Sequence, residues 1–378
     1  EQVFVVDHLG ERPAAQLTRG LAAMLHAPKW SPDGRWLAFG DKDGVLRVAD
    51  ATTGDLVVVA DESRGQLRDH VWSPCSGHLA FSMTTGTECR QLHVWSRATA
   101  TLQVVSRPLS NDSSPAWDPR GDRLYFLGLR GFQPRLAGDY EWDFQVDRAW
   151  GVFALALRVG LPALLPPRSD EAIAPAEATP APAKFEAPIV IDFEGLADRV
   201  EALPLPLDNY VALTAAGENL LVLRRGGSYY GRDSDQPTSL LAFSGKERKH
   251  ETIATDVRTI ALAADGSHVL VRTTKGWSVA KAGLDGKDGQ KSLDLRGLPV
   301  PKVPADEYWQ IFHEVWRRYR DFFYVANMHG HDWEGLRARY APLVAHVRHR
   351  SDLNYVIGEM IAELNVGHAY IAGGDVGA

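Results

Sequence analysis

A thirteen-residue pattern that recurs along the chain constrains its fold more than any other feature of the sequence. The three clearest copies are PKWSPDGRWLAFG from Pro28, HVWSPCSGHLAFS from His70 and PAWDPRGDRLYFL from Pro115. The first tryptophans of these copies lie 42 and 45 residues apart. Weaker copies follow in VALTAAGENLLVL and IALAADGSHVLVR. A period of this length indicates a repeat architecture such as a solenoid or a propeller.

Each copy predicts a strand, a tight turn and a second strand. In the first copy the turn is Ser-Pro-Asp-Gly, in which proline fixes φ, aspartate can bond to the turn backbone and glycine accepts a positive φ. In the residues that follow, successive side chains are expected on opposite faces of a strand. The segment GVLRVADATTGDLVVVA then supplies a third and a fourth strand around a second turn. Four strands in about 40 residues are typical of one propeller blade.

The Trp-Ser-Pro-Asp-Gly turn followed by Leu-Ala-Phe resembles the TolB-like propeller repeat. The expected fold class is therefore mainly β. We expect a TolB-like β-propeller of about five to seven blades over residues 1–298 and a small helical (α+β) segment over residues 299–378. Half a blade lies at the N-terminus. It indicates either that the chain opens inside an incomplete propeller or that the half blade completes another blade and closes the ring.

One blade carries an insertion over residues 165–188, with the sequence LPPRSDEAIAPAEATPAPAKFEAP. This stretch is rich in proline, alanine and glutamate and has few residues that could bury a core. We therefore expect a disordered surface loop.

Charge and composition argue against several classes of function. The net charge of −7 argues against a protein that binds nucleic acid through phosphate contacts. The longest apolar stretch, 149–165, is too short and too interrupted to span a membrane. The two cysteines, Cys75 and Cys89, belong to no metal-ligand array, so neither a metal nor a cofactor is expected. The N-terminal residues EQVFVVDHLG lack the regions of a secretory signal.

After residue 298 the apolar period changes from 2 to 3.6, which predicts three helices. The first is expected to be capped by Asp306, the second to begin at Asp332 and to be disturbed at Pro342, and the third to run from Ser351 to a left-handed terminator near Asn365. A short strand is expected in VGHAYIAGG. The apolar stripe of the first helix comprises Tyr308, Ile311, Phe312, Val315, Trp316, Tyr319, Phe322 and Phe323. Four aromatic residues are expected to pack in the core rather than to contact a substrate: Trp309, Trp316, Phe322 and Phe323.

His368 follows the third predicted helix, where it is either a catalytic base or a hydrogen-bonded structural residue. Ser351 lies close to histidines, but its position favours a helix cap over a nucleophile, and the chain has no Gly-x-Ser-x-Gly elbow. Zinc proteases carry two histidines at i and i+4 together with a glutamate. Two histidine pairs lack that spacing: His329 with His331, and His346 with His349.

The segment Tyr308–Asp375, which ends in ELNVGHAYIAGGD, resembles the tricorn protease family closely. IVIDFEGLADRVEALPLP, at 189–206, is also similar to the propeller of that family. The resemblance covers essentially the whole chain, and the helical segment is its specific part. It implies a serine peptidase that trims oligopeptides, with a propeller before the helical first part of the catalytic core and with a PDZ domain and the second core part after it.

The resemblance also implies a role for one residue. Gly367, His368, Ala369 and Tyr370 match a Ser-His-Ala-Tyr-like motif of the family, so His368 is expected to be the general base. Gly367 departs from the motif because it has no hydroxyl that could orient the imidazole. The nucleophilic serine, the oxyanion-hole amides and the acid lie in the second core part, so the chain as given is expected to be inactive.

The remaining expectations follow from the same resemblance. The partners are peptide substrates and further copies of the chain, assembled as a hexamer, with no nucleic acid and no membrane. The expected compartment is the cytoplasm, with the periplasm as an alternative. The rival hypothesis is a propeller that binds peptides or partner proteins without catalysis. What the gene encodes after Ala378 would distinguish the peptidase hypothesis from the binding hypothesis.

Overall fold

The structure is a computed structural model that describes residues 1–375 except 63, 66, 85, 133, 137–143, 167–187, 228–233 and 235. The chain forms two compact units. One, called the helical unit here, comprises Glu1–Gln2, Arg19–Leu25 and Leu295–Ala378. The other, called the propeller unit, comprises Val3–Thr18 and His26–Asp294. Most of the predicted insertion at 165–188 lies outside the described residues.

The propeller unit begins with a two-stranded sheet and continues with five four-stranded antiparallel sheets, which are the blades. The first sheet pairs β1 (Phe4–Val5) with β2 (Ala15–Gln16). Blade 1 contains β3 (Leu25–Trp30), β4 (Trp36–Asp41), β5 (Val45–Asp50) and β6 (Leu56–Asp61). Blade 2 contains β7 (Val71–Trp72), β8 (His78–Thr84), β9 (Arg90–Ser96) and β10 (Thr101–Val104).

The other three blades repeat this meander. Blade 3 contains β11 (Asn111–Trp117), β12 (Arg123–Leu129), β15 (Trp150–Ala156) and β16 (Val200–Ala202), and a separate pair, β13 (Pro134–Leu136) and β14 (Phe144–Val146), lies between its second and third strands. Blade 4 contains β17 (Tyr210–Ala216), β18 (Asn219–Arg224), β19 (Ser239–Ser244) and β20 (Lys249–Thr255). Blade 5 contains β21 (Val257–Leu262), β22 (His268–Thr273), β23 (Gly276–Lys281) and β24 (Lys291–Ser292).

The repeated turn has the predicted geometry. In blade 1 the N–H of Gly34 donates to the carbonyl of Ser31 over 2.9 Å, and Gly34 has a φ of +71°. The Ser31 hydroxyl accepts from the N–H of Trp36 over 2.9 Å and so ties the turn to β4. Because glycine carries no Cβ, it enters this left-handed conformation without the steric penalty that other residues meet.

The repeated tryptophan joins one blade to the blade before it. The indole Nε1 of Trp72 donates to the carbonyl of Lys29 over 3.0 Å. The indole Nε1 of Trp117 donates to the carbonyl of Val71 over 3.1 Å. Each acceptor is the residue directly before the tryptophan of the preceding blade. The period in the sequence is therefore the spacing at which one blade meets the next.

The helical unit contains three α-helices that pack on one another. The helix α1 (Pro304–Phe322) begins with proline at its first position, which suits a residue without an N–H. The helix α2 (Trp333–Val344) is capped by Asp332, whose carboxylate accepts from the N–H of Gly335 over 2.9 Å. The helix α3 (Arg350–Ala362) is capped by His349 in a capping box with Asp352.

A reciprocal pair of hydrogen bonds holds α1 to the start of α2. The indole Nε1 of Trp316 donates to the carbonyl of Trp333 over 2.9 Å, and the indole Nε1 of Trp333 donates to the carbonyl of Trp316 over 3.0 Å. Both side chains are buried. The pair satisfies two indole donors inside an apolar core, where an unpaired N–H would be costly. The fully buried residues of this core include Phe312, Leu353, Ile357 and Met360.

Several local expectations were wrong in this unit. The residue that caps α1 is Val303, without a side-chain bond, and Asp306 lies in the first turn. The cap of α3 is His349 rather than Ser351. No strand forms in 366–372, part of the described chain. The helix α2 includes Pro342 near its end and stops two residues later, at Val344.

Seven of the eight residues in the predicted stripe of α1 lie in the core cluster or pack against it, and Phe322 is the exception. Phe312 and Trp316 are buried, and Phe323 packs against the same cluster. Trp309 and Phe322 are both 45% exposed, so the expectation that they pack in the core was wrong. Trp309 lies outside this stripe and Phe322 is the last residue of α1, and the core cluster covers neither of them.

The predicted fold class is confirmed as mainly β, with five propeller blades followed by three helices near the C-terminus. Among the described strands, the N-terminal half blade is a two-stranded sheet that adds no strand to any blade. Of the helices in the described ranges, none is both long and apolar enough to cross a membrane.

Candidate functional site

A cleft of about 660 Å³ opens in the helical unit, and His368 lies on its wall. The residues around the cleft come from the end of α1, from the loop before α2 and from the segment after α3. They are Tyr319, Phe323, Tyr324, His329, His331, Leu364, Asn365, Val366, Gly367, His368 and Ala369. His329 and His331, a pair that the sequence analysis weighed against the spacing of a zinc site, thus line the same cleft as the predicted base.

The segment after α3 positions His368. Asn365 has a φ of +52° and ends the helix in the predicted left-handed conformation. Its N–H donates to the carbonyl of Ala362 over 2.9 Å. Leu364, Val366 and Ala369 then turn toward the core of the helical unit. His368 is consequently left exposed on the other side of the backbone.

The imidazole of His368 is accessible. It has no hydrogen-bond partner in the part of the chain that the structure describes. Its one ring contact is with Tyr370, whose ring centroid lies 6.4 Å away at an interplanar angle of 81°. An exposed imidazole with both nitrogens free can accept a proton from one group and give it to another.

A hydrogen-bonded pair occupies another wall of the cleft. The hydroxyl of Tyr324 lies 2.6 Å from Nε2 of His329. The ring of Phe323 meets the imidazole of His329 edge to face, with centroids 5.4 Å apart. Sequence reasoning considered His329 only as a metal ligand and did not single out Tyr324.

The backbone is strained around this cleft. Of the described residues in the helical unit, four that are not glycine have a positive φ, and all four line the cleft or adjoin it: Met328, His329, Asn365 and His368. A left-handed residue with a side chain costs about 1 kcal/mol. Such strain persists where the surrounding structure fixes a conformation, and it is most common at functional sites.

Other candidate groups of the sequence do not form a reactive site. Ser351 lies 2.8 Å from Nδ1 of His349, but this contact belongs to the exposed cap of α3. Within the described ranges, no group of three or more histidine, cysteine, aspartate or glutamate side chains is placed to hold a metal ion.

The propeller unit contains a buried histidine with a perturbed pKa. His70 is fully buried, and neither ring nitrogen has a well-formed hydrogen bond to a described residue, although the backbones of Ala27 and Ala38 lie nearby. Burial and then the charge of Lys29 lower the pKa of His70 to about 4, while Asp69 opposes the shift. The Lys29 ammonium group donates to the carbonyl of His70 over 2.6 Å.

A cysteine of blade 2 is also perturbed. Burial alone would raise the pKa of Cys75, but the nearby His78, Ser73 and two backbone groups outweigh it and lower the pKa to about 6. The hydroxyl of Ser73 lies 3.4 Å from the sulfur. A thiol of this kind is largely ionised near neutral pH.

Two family models match this chain, and together they cover both units. The model described as the tricorn protease second beta propeller domain matches residues 1–283. The model described as the tricorn protease C1 domain matches residues 304–362. His368 lies just after the second match.

Similar proteins carry the same family name as the two models. Tricorn protease homolog 1 of Streptomyces coelicolor is 28% identical over 373 residues, which are 95% of this chain and 35% of that protein. Tricorn protease of Thermoplasma volcanium is 23% identical over 361 residues, 92% of this chain and 33% of that protein. The chain thus spans about a third of the length of these relatives.

A solved structure supports the fold over both units. The crystal structure of the tricorn protease superposes with a TM-score of 0.77 at 20% identity and covers 96% of this chain and 35% of that one. At this identity the likeness concerns the fold alone.

Proposed function

The chain belongs to the tricorn protease family, and we propose that it forms part of a serine-type peptidase in which His368 is the general base. The observation that carries the proposal is the exposed imidazole of His368 on the wall of a cleft large enough for several residues of a peptide. In this role the imidazole takes the proton of a serine hydroxyl as that oxygen attacks the peptide carbonyl. It then returns the proton to the leaving amine.

The nucleophile is proposed to come from a region that follows these residues in the longer protein. Among the described residues that line the cleft there is no serine. The relatives named above are about three times as long as the matched segment, which leaves ample chain for the nucleophile, the acid and the oxyanion hole. The 378 residues alone are accordingly proposed to be inactive.

Gly367 is the place where this chain departs from the family motif. A Cβ at position 367 would meet no atom within 4 Å, and this glycine has no positive φ that would oppose a side chain. A serine therefore fits there without rearrangement. In its absence we propose that a group outside the described cleft fixes the imidazole tautomer of His368.

The finer assignments are proposals of the same kind. The substrates are oligopeptides, the assembly is a homo-oligomer with the hexamer as the specific proposal, and the compartment is the cytoplasm. Neither nucleic acid nor a membrane is proposed as a partner. The net charge of −7 supports the exclusion of nucleic acid.

The test compares two forms of the protein on a panel of fluorogenic peptides. We expect no cleavage by the 378-residue chain and cleavage by the protein made from the whole natural gene. In the longer protein, His368→Ala should lower kcat by about 10³-fold or more, as loss of a triad member does. His346→Ala, at an exposed histidine outside the cleft, is the matched control. Full activity of the His368→Ala protein would refute the proposal.

A further inference from the structure

The Tyr324–His329 pair has an acceptor oxygen that faces the cleft. In a neutral imidazole with its proton on Nδ1, Nε2 accepts the hydrogen bond, so the Tyr324 hydroxyl donates its proton to His329 across 2.6 Å. The phenolic oxygen then keeps its lone pairs for a second partner. Tyr324 is 74% exposed, so that partner can reach it.

The position of the pair argues for a role beyond holding the loop together. Hydrogen bonds that only stabilise a fold are worth most where both groups are buried. This one stands open on a cleft. It is held by a left-handed run in which Met328, His329 and Gly330 have φ values of +52°, +55° and +83°. The run turns the buried Met328 into the core and leaves His329 at the phenol of Tyr324.

The lining of the cleft selects the chemistry of the partner. Among the described lining residues there is neither aspartate nor glutamate to neutralise a cation, and the three histidines there are not placed together to hold a metal ion. Three aromatic rings, from Tyr319, Phe323 and Tyr324, provide flat apolar walls. A neutral N–H donor on an extended, partly apolar ligand fits this surface, and the peptide main chain is such a ligand.

We propose that the Tyr324 hydroxyl, held by His329, accepts a hydrogen bond from a main-chain N–H of a peptide bound in the cleft beside His368. Tyr324 touches the substrate, and His329 is a positioning residue that acts through it. This assignment rests on the proposed function in one respect, namely that the ligand of the cleft is a peptide.

The first test measures binding of one defined probe to the 378-residue chain. The probe is tetra-alanine with an acetylated N-terminus and an amidated C-terminus, so that all of its donors are neutral amide N–H groups. Its Kd is read from the NMR shifts of the ¹⁵N-labelled histidine rings. Tyr324→Phe should raise Kd about three- to tenfold, the net effect of one hydrogen bond. Tyr355→Phe, which removes a hydroxyl from an exposed tyrosine of α3 outside the cleft, should leave Kd unchanged.

The role of His329 is tested by coupling. His329→Asn keeps a residue that tolerates the left-handed backbone, but its side chain is too short to reach the phenol. It should raise Kd, and the double variant with Tyr324→Phe should raise Kd no further than Tyr324→Phe alone. A loss in the double variant equal to the product of the single effects would show that His329 does not act through Tyr324. Far-UV circular dichroism confirms that each variant is folded.

Two outcomes overturn the inference. One is an unchanged Kd in Tyr324→Phe, and the other is no binding of the blocked probe at about 20 mM, a concentration at which even a weak site fills. If the unblocked peptide alone binds, the cleft recognises a charged peptide terminus and the amide assignment is wrong.

Kinetics of the longer peptidase separate this inference from the proposed function. There Tyr324→Phe should raise KM several-fold, about as far as one hydrogen bond allows, with little change in kcat, whereas His368→Ala acts on kcat. Activity that survives His368→Ala overturns the proposed function and leaves the binding role of Tyr324 intact. An unchanged KM in Tyr324→Phe overturns only the role of Tyr324.

Discussion

The buried imidazole of His70 makes the stability of the propeller unit depend on pH in a direction that can be worked out. Its pKa is about 4 in the folded protein and is expected at its ordinary value of 6.5 in the unfolded chain. Above pH 6.5 the ring is neutral in both states and contributes no pH dependence. As the pH falls from 6.5 to 4, the unfolded chain takes up the proton first, so the folded state loses stability. At pH 4.5 the loss from this residue alone is roughly 2.5 kcal/mol.

The perturbation that isolates this effect is His70→Met, which fills a similar volume without a titratable group. At pH 7.5 the variant should be about as stable as the wild type, within about 1 kcal/mol, because the ring nitrogens it removes have no well-formed bond to a described residue. At pH 4.5 the variant should be more stable by about 2–3 kcal/mol. Urea unfolding followed by tryptophan fluorescence at the two pH values gives the four midpoints.

The comparison between variants is needed because other groups titrate in the same range. Burial also lowers the pKa of His26 and of His93, which adds acid sensitivity. Burial raises the pKa of Asp112 and of Asp118, which works in the opposite direction. These contributions are common to both proteins and cancel in the difference. His250→Met, at an exposed histidine of β20, should respond to acid as the wild type does. An equal loss of stability in wild type and His70→Met would refute the reasoning.

Two further predictions concern the helical unit and blade 2. Trp316→Phe leaves the carbonyl of Trp333 without its indole donor and should lower the free energy of unfolding by about 1–3 kcal/mol. The control Trp309→Phe, on the same helix, should lower it by less than about 0.5 kcal/mol. Equal losses of stability for the two variants in thermal melts would contradict this account. In a Cys89→Ser background, alkylation of Cys75 by iodoacetamide should rise with a midpoint near pH 6. His78→Phe should move that midpoint upward, and a midpoint unaffected by the change would show that His78 does not stabilise the thiolate.

The blades could be predicted from the sequence because their determinants are local. The turn at Ser31–Gly34 needs only four residues of suitable type, and it has the expected hydrogen bond and positive φ. The helices were likewise visible in their periodicity. The exposure of Trp309 and Phe322 was not, because both are as apolar as Trp316, and only the packing of α2 and α3 decides which of the three is covered.

The candidate site shows where sequence reasoning stops. His368 was singled out through a family motif, and its place on a cleft required the structure. The strand expected after His368 does not form, since glycines and the positive φ of His368 itself leave an irregular segment. The Tyr324–His329 bond depends on three consecutive left-handed residues. Gly330 is the residue type that most favours this conformation, and Met328 is of a type that rarely adopts it.

The indole bonds between blades also bear on how a propeller changes size. Trp72 and Trp117 each bond to the residue before the preceding tryptophan, so both links are made by the same pair of positions in the repeat. Removal or duplication of one whole period therefore presents each remaining indole with an equivalent carbonyl. A change of any other length would shift the repeat and leave an indole donor without its acceptor. Blade number can accordingly evolve in whole steps through blades 1 to 3. In blades 4 and 5 the corresponding residues are Leu213 and Leu262, and a change of copy number there relies on apolar packing alone.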